Sequence, residues 1–400
     1  MSSEPGTRPI APLVCAIGIV QIISWGSLFY AVGVLGAAMR TDVGVSELFL
    51  FGAFTAGLLV SGALSPLAGR LVDRRGGRFV LSAGSILAAL AMTLLATAAH
   101  AVPLVLGWLV AGAAMAACLY EPAFATLSQH TGPHYRRAVT AITLFGGFAS
   151  TVFWPLSHLL MEAWGWRGTL AIYAAVHLAV CLPVHLVFVP RLRAAQAHEP
   201  PVAVQARAHL DLPGLGWLTG AMALASFVSA VIAVHVVVLL EAHGLAPAEA
   251  IAIAMLFGPM QVAGRIAEFA FGARVGIVSL GWIAFGLLFV AIATLIAVDG
   301  IGVAAIVFVT AYGIGNGLFT IIRGTVPAQL YGRERLGAIL GHLARAGLYS
   351  RAFAPASFSG LLAVGFTRNG ALGALAALAL AALASYLAAV RSARGESRER

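Results

Sequence analysis

Runs of about twenty apolar residues, parted by short polar breaks, recur along this chain from Ile10 to Val390. A helix of that length just crosses the ~30 Å hydrocarbon core of a bilayer. Twelve such runs are legible, beginning at 11–38, 46–69, 79–99, 103–128, 139–162 and 168–190. Six more follow at 214–242, 247–270, 277–298, 302–328, 338–362 and 369–391. The runs are continuously apolar and rich in Ala and Leu rather than alternating, which excludes a strand barrel and leaves helices to satisfy the backbone in lipid. The expected fold is an all-α membrane protein with twelve transmembrane helices. Composition agrees: 60% of the 400 residues are hydrophobic and 10% charged, against roughly 25% charged in a soluble domain.

The net charge of +9 is informative through its placement. Arginines cluster in alternate loops: Arg70, Arg74, Arg75 and Arg78; Arg136 and Arg137; Arg191, Arg193 and Arg207; Arg333 and Arg335; and Arg391, Arg394, Arg398 and Arg400. The opposite loops hold isolated ones, Arg40, Arg167 and Arg368. This bias puts both termini in the cytoplasm and the protein in the bacterial cytoplasmic membrane. No soluble domain or aromatic interleaving supports nucleic-acid binding. Every basic residue other than His is Arg, so a Walker-type phosphate loop and a Schiff-base enzyme lack their amine. Cys15, Cys118 and Cys181 fall on separate spans without a CxxC spacing and read as small apolar side chains, not as a metal site. The polar first nine residues precede an apolar run too long for a signal-peptide core, so the first span is expected to be retained. No Gly-x-Ser-x-Gly or His-Glu-x-x-His pattern marks a hydrolase, and no cofactor is expected.

The longest polar interruption, 191–213, divides residues 1–190 from 214–400. An internal repeat supports the division: Gly69-Arg70-Leu71-Val72-Asp73 reappears as Gly264-Arg265-Ile266-Ala267-Glu268, each copy closing the second span of its half. Two pseudo-symmetric six-helix bundles around a site near the membrane midplane are a known transporter plan. Gly313-Ile314-Gly315-Asn316-Gly317 superficially suggests a nucleotide loop, but it lies in an apolar helix and follows no strand, so close helix packing or a hinge is the better reading.

The loop Gly69-Arg70-Leu71-Val72-Asp73-Arg74-Arg75-Gly76-Gly77-Arg78 resembles the signature of the major facilitator superfamily, with Gly69, Asp73, Arg74, Gly76 and Arg78 filling its positions. The resemblance implies a secondary transporter working by alternating access. Physically, glycines permit a tight turn and Asp73 can accept charge-assisted hydrogen bonds, so Gly69, Arg70, Asp73, Arg74, Gly76 and Arg78, with Arg265 and Glu268 of the repeat, are the expected gating residues. Tyr135-Arg136-Arg137-Ala138, running on through Ala141, Gly146 and Gly147, is similar to the start of the fifth span in the monocarboxylate-transporter-like branch, and Trp25-Gly26 echoes the same branch. The fifth span lacks the glycine-proline series of many drug–proton antiporters, and the first has no acidic residue.

Ionisable residues inside spans cost at least about 2.5–3.5 kcal/mol each to insert and mark function by default. Glu121, Arg323, Arg345 and Arg351 are the set here. One acid against three arginines leaves an excess of fixed positive charge, because arginine keeps its proton. An anionic substrate would neutralise it. Arg345 and Arg351 are six residues apart, so they diverge by about 120° and ~9 Å along the axis and cannot both face one site squarely. Arg351 is therefore the expected anion-binding residue, helped by Arg323 and Asn316, which share a face of the tenth span; Arg345 lies on a stripe with His342 and Tyr349. Gln21 and Trp25 of the first span join the substrate set. Glu121 has two readings, a proton-binding carboxyl or half of a structural Glu–Arg bridge. His158, His177, His185, His235 and His342 appear scattered over separate spans or faces, each read as a packed or interfacial side chain, with His235 and His342 as minor relay candidates.

The sequence thus points to a monomeric transporter of a small organic anion coupled to protons, with the lipid bilayer as its other partner. The competing reading is efflux of a toxic compound, either a lipophilic drug or a soft metalloid held by Cys118 or Cys15.

Overall fold

A computed structural model describes residues 10–192, 212–241, 243–297 and 301–399. Residues 193–211, most of the expected linker, including Arg193 and Arg207, lie outside the described residues. Among those described the chain is helical, without strands. The helices are α1 (Ile10–Val43), α2 (Glu47–Arg75), α3 (Gly77–Ala96), α4 (Ala101–His130), α5 (135–164) and α6 (166–188). They continue with α7 (Leu215–Glu241), α8 (247–271), α9 (Ile277–Ala297), α10 (Ile301–Tyr331), α11 (Leu336–Ala363) and α12 (Arg368–Glu399). Nine helical stretches among the described residues are long and apolar enough to cross a membrane on their own. One of them, Gly132–Phe188, is α5 and α6 joined at Gly165, and α8 and α11 complete the twelve.

The ends of these helices follow from local chemistry. Ser46 caps α2 by accepting from the Phe49 amide at 3.1 Å, which satisfies one of the free amides of the first turn. Gly76, with φ of +82°, ends α2 where a side chain would be strained. At Gly165, φ of 65° and ψ of 173° turn the chain from α5 into α6 with no intervening loop.

Several helices are broken inside the membrane. α1 carries a π-turn at Gly26–Tyr30 and α6 another at His177–Cys181. α4 breaks at Leu119 (φ −82°, ψ −157°), and α8 is interrupted between Ala254 and Phe257.

The chain divides into two compact units: Met1–Gly57 with Leu71–His198, and Leu58–Arg70 with Glu199–Arg400. Each is held by close helix packing at small residues rather than by hydrophobic segregation, which lipid does not supply. In the first unit, a Cβ at Gly112 would lie 2.0 Å from the Gly57 carbonyl oxygen. In the second, Gly313 and Gly317 bring α10 onto Met260 and the Gln261 carbonyl of α8, while Gly315 faces Leu287 of α9. The glycine cluster is thus a packing device. The Leu58–Arg70 stretch of α2 belongs to the second unit through the same device: Gly69 sits against the Gly337 carbonyl of α11 and Gly341 against that of Ser65.

Candidate substrate site and loop latch

In the second unit, Tyr312, Asn316, Thr320 and Arg323 follow one another at helical spacing on one face of α10, over roughly 16 Å. Asn316, Thr320 and Arg323 are half-buried, and Tyr312 is buried. The Tyr312 hydroxyl donates to the Ser229 carbonyl at 2.9 Å, and its ring packs against Phe257 at 4.5 Å between centroids. Half-buried Arg351 of α11 lies within electrostatic reach of that hydroxyl. At Thr320, the Arg265 guanidinium donates to Oγ1 at 3.4 Å, and the Thr320 hydroxyl donates to the Asn316 carbonyl at 3.1 Å. Arg265 thus adjoins a polar stripe that ends in Arg323, and Arg351 lies within electrostatic reach of its Tyr312 end.

Arg265 and Glu268 differ in surroundings from Arg70 and Asp73, the residues they repeat. They are buried at 5% and 6% exposure, whereas Arg70 is exposed and Asp73 half-buried. Arg265 consequently adjoins the stripe, a placement that the sequence repeat alone did not indicate. Arg345 is exposed, with His342 beside it.

In the first unit, Pro122 explains the break in α4. Proline has no amide hydrogen, so the Cys118 carbonyl four residues earlier loses its helical donor. The Gln21 side chain of α1 replaces it, donating from Nε2 at 2.8 Å. Glu121 sits half-buried in this break, next to Tyr120. Trp25 packs on Tyr120 at 5.1 Å and on Phe29 at 5.4 Å, and Phe29 meets Phe54 at 5.6 Å. Gln21 and Trp25 thus meet the α4 break that holds Glu121, through Cys118 and Tyr120, whereas Arg351, Arg323 and Asn316 belong to the second unit.

At the loop, the Gly76 amide donates to the Val72 carbonyl at 2.9 Å, and Gln129 of α4 donates to the same carbonyl at 2.9 Å. A Cβ at Gly77 would collide with Thr126. Arg75 lies over the Phe79 ring at 5.1 Å; Arg74 is exposed and Arg78 half-buried.

Two groupings were missed by the sequence reading. Arg167, taken as an isolated loop cation, closes a clasp: it binds Asp42 through Nη2 at 3.0 Å and Nε at 3.1 Å, and donates to the Ala96 carbonyl at 2.9 Å. Trp166 Nε1 donates to the same carboxylate at 3.0 Å. The other is a correction. His177 and His185 are not scattered but share the inner face of α6, fully buried, with Ser27 at 2.8 Å from one and Ser85 at 3.0 Å from the other. Their four-plus-four spacing through Cys181 was the available signal. Among the described residues, no three His, Cys, Asp or Glu side chains converge as a metal site.

Twelve membrane-crossing helices with charged residues held inside them define a polytopic solute carrier. Residues 17–341 match the family pattern of the Major Facilitator Superfamily, and the chain belongs to that family of transporters. The fold agrees with that of the human organic anion transporter MFSD10 (TM-score 0.72, 15% identity, 96% of this chain and 100% of that one). It agrees as well with the transporter FucP in its outward conformation (TM-score 0.72, 13% identity, 94% and 97%). In sequence, the chain is 36% identical to human monocarboxylate transporter 11 over 130 residues, which is 31% of this chain and 27% of that protein. It is 29% identical to the multidrug resistance protein MdtL of Klebsiella pneumoniae subsp. pneumoniae over 194 residues, 48% and 47% of the two chains. The chain thus spans about a quarter to a half of the length of these curated relatives.

Proposed function

We propose that the protein moves a small organic anion across the bacterial cytoplasmic membrane by alternating access, with protons as the coupling ion. Both termini face the cytoplasm in this reading, and the monomer is the working unit. The observation that carries the reading is the α10 stripe of Tyr312, Asn316 and Thr320 inside a membrane protein: Arg323 ends it, Arg265 adjoins it and Arg351 lies within electrostatic reach of Tyr312. A guanidinium inside a span is costly, and a carboxylate bound through its planar fork lowers that cost while bringing two aligned hydrogen bonds. Arg351 receives the carboxylate, with Asn316 and Arg323 as its helpers in the second unit; Gln21 and Trp25 are the substrate-binding residues of the first unit. Glu121, placed where α4 is broken, carries the coupling proton. The Gly69–Arg78 loop, through Gly69, Arg70, Asp73, Arg74, Gly76 and Arg78, latches one state, and Arg265 with Glu268 supports its counterpart in the second half. The likeness to a monocarboxylate transporter over 130 residues supports the substrate class.

The test is uptake of radiolabelled monocarboxylates by proteoliposomes under an inward proton gradient. Arg351→Gln is expected to lower uptake at least tenfold, with Arg351→Lys recovering only part of it because the fork is lost. Native uptake by Arg351→Gln would overturn the assignment.

A second reading, efflux of a toxic compound, is favoured by the 29% identity to MdtL over nearly half of the chain. Growth protection by the expressed protein against lipophilic drugs would support it. Protection against a soft metalloid, lost with Cys118→Ser or Cys15→Ser, would support its thiol version.

A further inference from the structure

The inner face of α6 is built as His177-x3-Cys181-x3-His185, with all three side chains at 0% exposure, while Leu178, Val180 and Val187 face outward. Ser27 makes a 2.7 Å bond to the Ile23 carbonyl and a 2.8 Å bond to His177 Nε2. A carbonyl cannot donate, so the serine proton is committed to Ile23, and the imidazole must donate to Ser27 Oγ. That fixes His177 with its hydrogen on Nε2, leaving Nδ1 as a bare lone pair. Ser85 makes the corresponding contacts, 3.3 Å to the Leu81 carbonyl and 3.0 Å to His185 Nδ1, and because the ring itself hydrogen-bonds the Leu81 carbonyl, Nδ1 carries the hydrogen and Nε2 is bare. Neither Nδ1 of His177 nor Nε2 of His185 has a hydrogen-bond partner among the described residues.

The serines come in matched pairs. Ser24 and Ser27 lie one turn apart on α1, Ser82 and Ser85 one turn apart on α3; in each pair the second holds an imidazole and the first is buried, Ser24 against the Cys118 thiol and Ser82 with no hydrogen-bond partner among the described residues. Ser27 and His177 also lie in the two π-turns, a distortion that recurs at functional positions. The two rings are within electrostatic reach of each other. Among the described residues of the first unit, the other buried titratable groups are Cys118, Cys181, Tyr120, Tyr135 and Tyr173. On the helices packed around it, Arg40, Asp42, Arg78, Arg136, Arg137, His158, Glu162 and Arg167 are half-buried or exposed, and half-buried Glu121 sits at the α4 break. Leucines at 177 and 185 would fill such an interior without orphaned nitrogens, so packing alone does not account for the imidazoles.

We propose that His177 and His185 form a proton-binding pair inside the first unit, taking one proton per pair onto His177 Nδ1 or His185 Nε2. The proton adds to a ring lone pair and breaks no other bond, and the two rings' mutual repulsion keeps the second proton off. The inference rests on proton coupling as proposed above and makes Glu121 a partner of this pair rather than the sole proton carrier.

The full-length protein, labelled with 15N-histidine in nanodiscs, is titrated from pH 8 to pH 4. The signals that vanish in His177→Gln and in His185→Gln identify the two rings. One of them is expected to gain its second N–H across this range, and Ser27→Ala, which keeps the ring, is expected to move that transition. In proteoliposomes, His177→Gln is expected to lower gradient-driven accumulation at least tenfold and equilibrium exchange less than threefold. Both rings staying neutral down to pH 4 would overturn the pair, as would native accumulation by both glutamine variants while Glu121→Gln abolishes it. If the native protein ignores the proton gradient, the coupling reading fails, and the titration alone still decides whether the pair binds a proton.

Discussion

Gln21 illustrates how much one side chain carries when the solvent is hydrocarbon. Its amide replaces the hydrogen bond that Pro122 denies to the Cys118 carbonyl. Gln21→Leu leaves that carbonyl bare in a dry core, a loss of about 1–3 kcal/mol. We expect a matching fall in unfolding free energy of the protein in nanodiscs, and an unchanged value would mean that the kink is satisfied otherwise. The Asp42–Arg167 clasp should behave differently despite its larger number of contacts. Its side chains are 51% and 39% exposed, so screening by water limits the pair, and Asp42→Asn should cost less than about 1 kcal/mol by the same measurement. At this scale the sequence was only partly legible. Arg351, Arg323 and Asn316 stand out because charge and amide groups are rare in spans. The burial of Arg265 and the serine partners of His177 and His185 depend on which face of each helix turns inward, and near-uniform apolarity hides that face.

Among the helices, spans were the most legible feature, because a run of apolar residues is set by bilayer thickness rather than by any partner. The breaks were not. The π-turns at Gly26–Tyr30 and His177–Cys181 have no sequence signature of their own; they are fixed by what the neighbouring helix presents, such as the Phe153 ring lying on Gly26. Gly165 joins α5 to α6 without the polar loop that ordinarily marks a boundary. Close packing yields a sharp contrast between two glycines of the second unit. A Cβ at Gly317 would meet the Gln261 carbonyl oxygen at 2.4 Å, whereas one at exposed Gly360 would meet nothing within 4 Å. Gly317→Ala should therefore destabilise by about 1–3 kcal/mol, as overpacking does. Gly360→Ala should be neutral or stabilise by up to about 1 kcal/mol through helix propensity. Equal effects in thermal unfolding would contradict the packing role given to the Gly313–Gly317 cluster.

For the whole molecule, family and architecture follow from features spread along the chain: twelve spans, a repeated second-span motif and the arginine-rich loop. Substrate does not, since the relatives it resembles in part include a monocarboxylate transporter and a multidrug resistance protein. The interior charge of the second unit is what separates those possibilities. A site served by Arg351, Arg265 and Arg323 should select anions, and a ligand that binds only the folded state raises its stability by RT ln(1 + [L]/Kd), about 2.7 kcal/mol at a hundredfold excess over Kd. The most direct measurement is the thermal unfolding of the purified protein against matched panels of small carboxylates and lipophilic cations. The account predicts stabilisation by carboxylates, abolished in Arg351→Gln, and none by the cations; stabilisation by cations alone, undiminished in that variant, would contradict it.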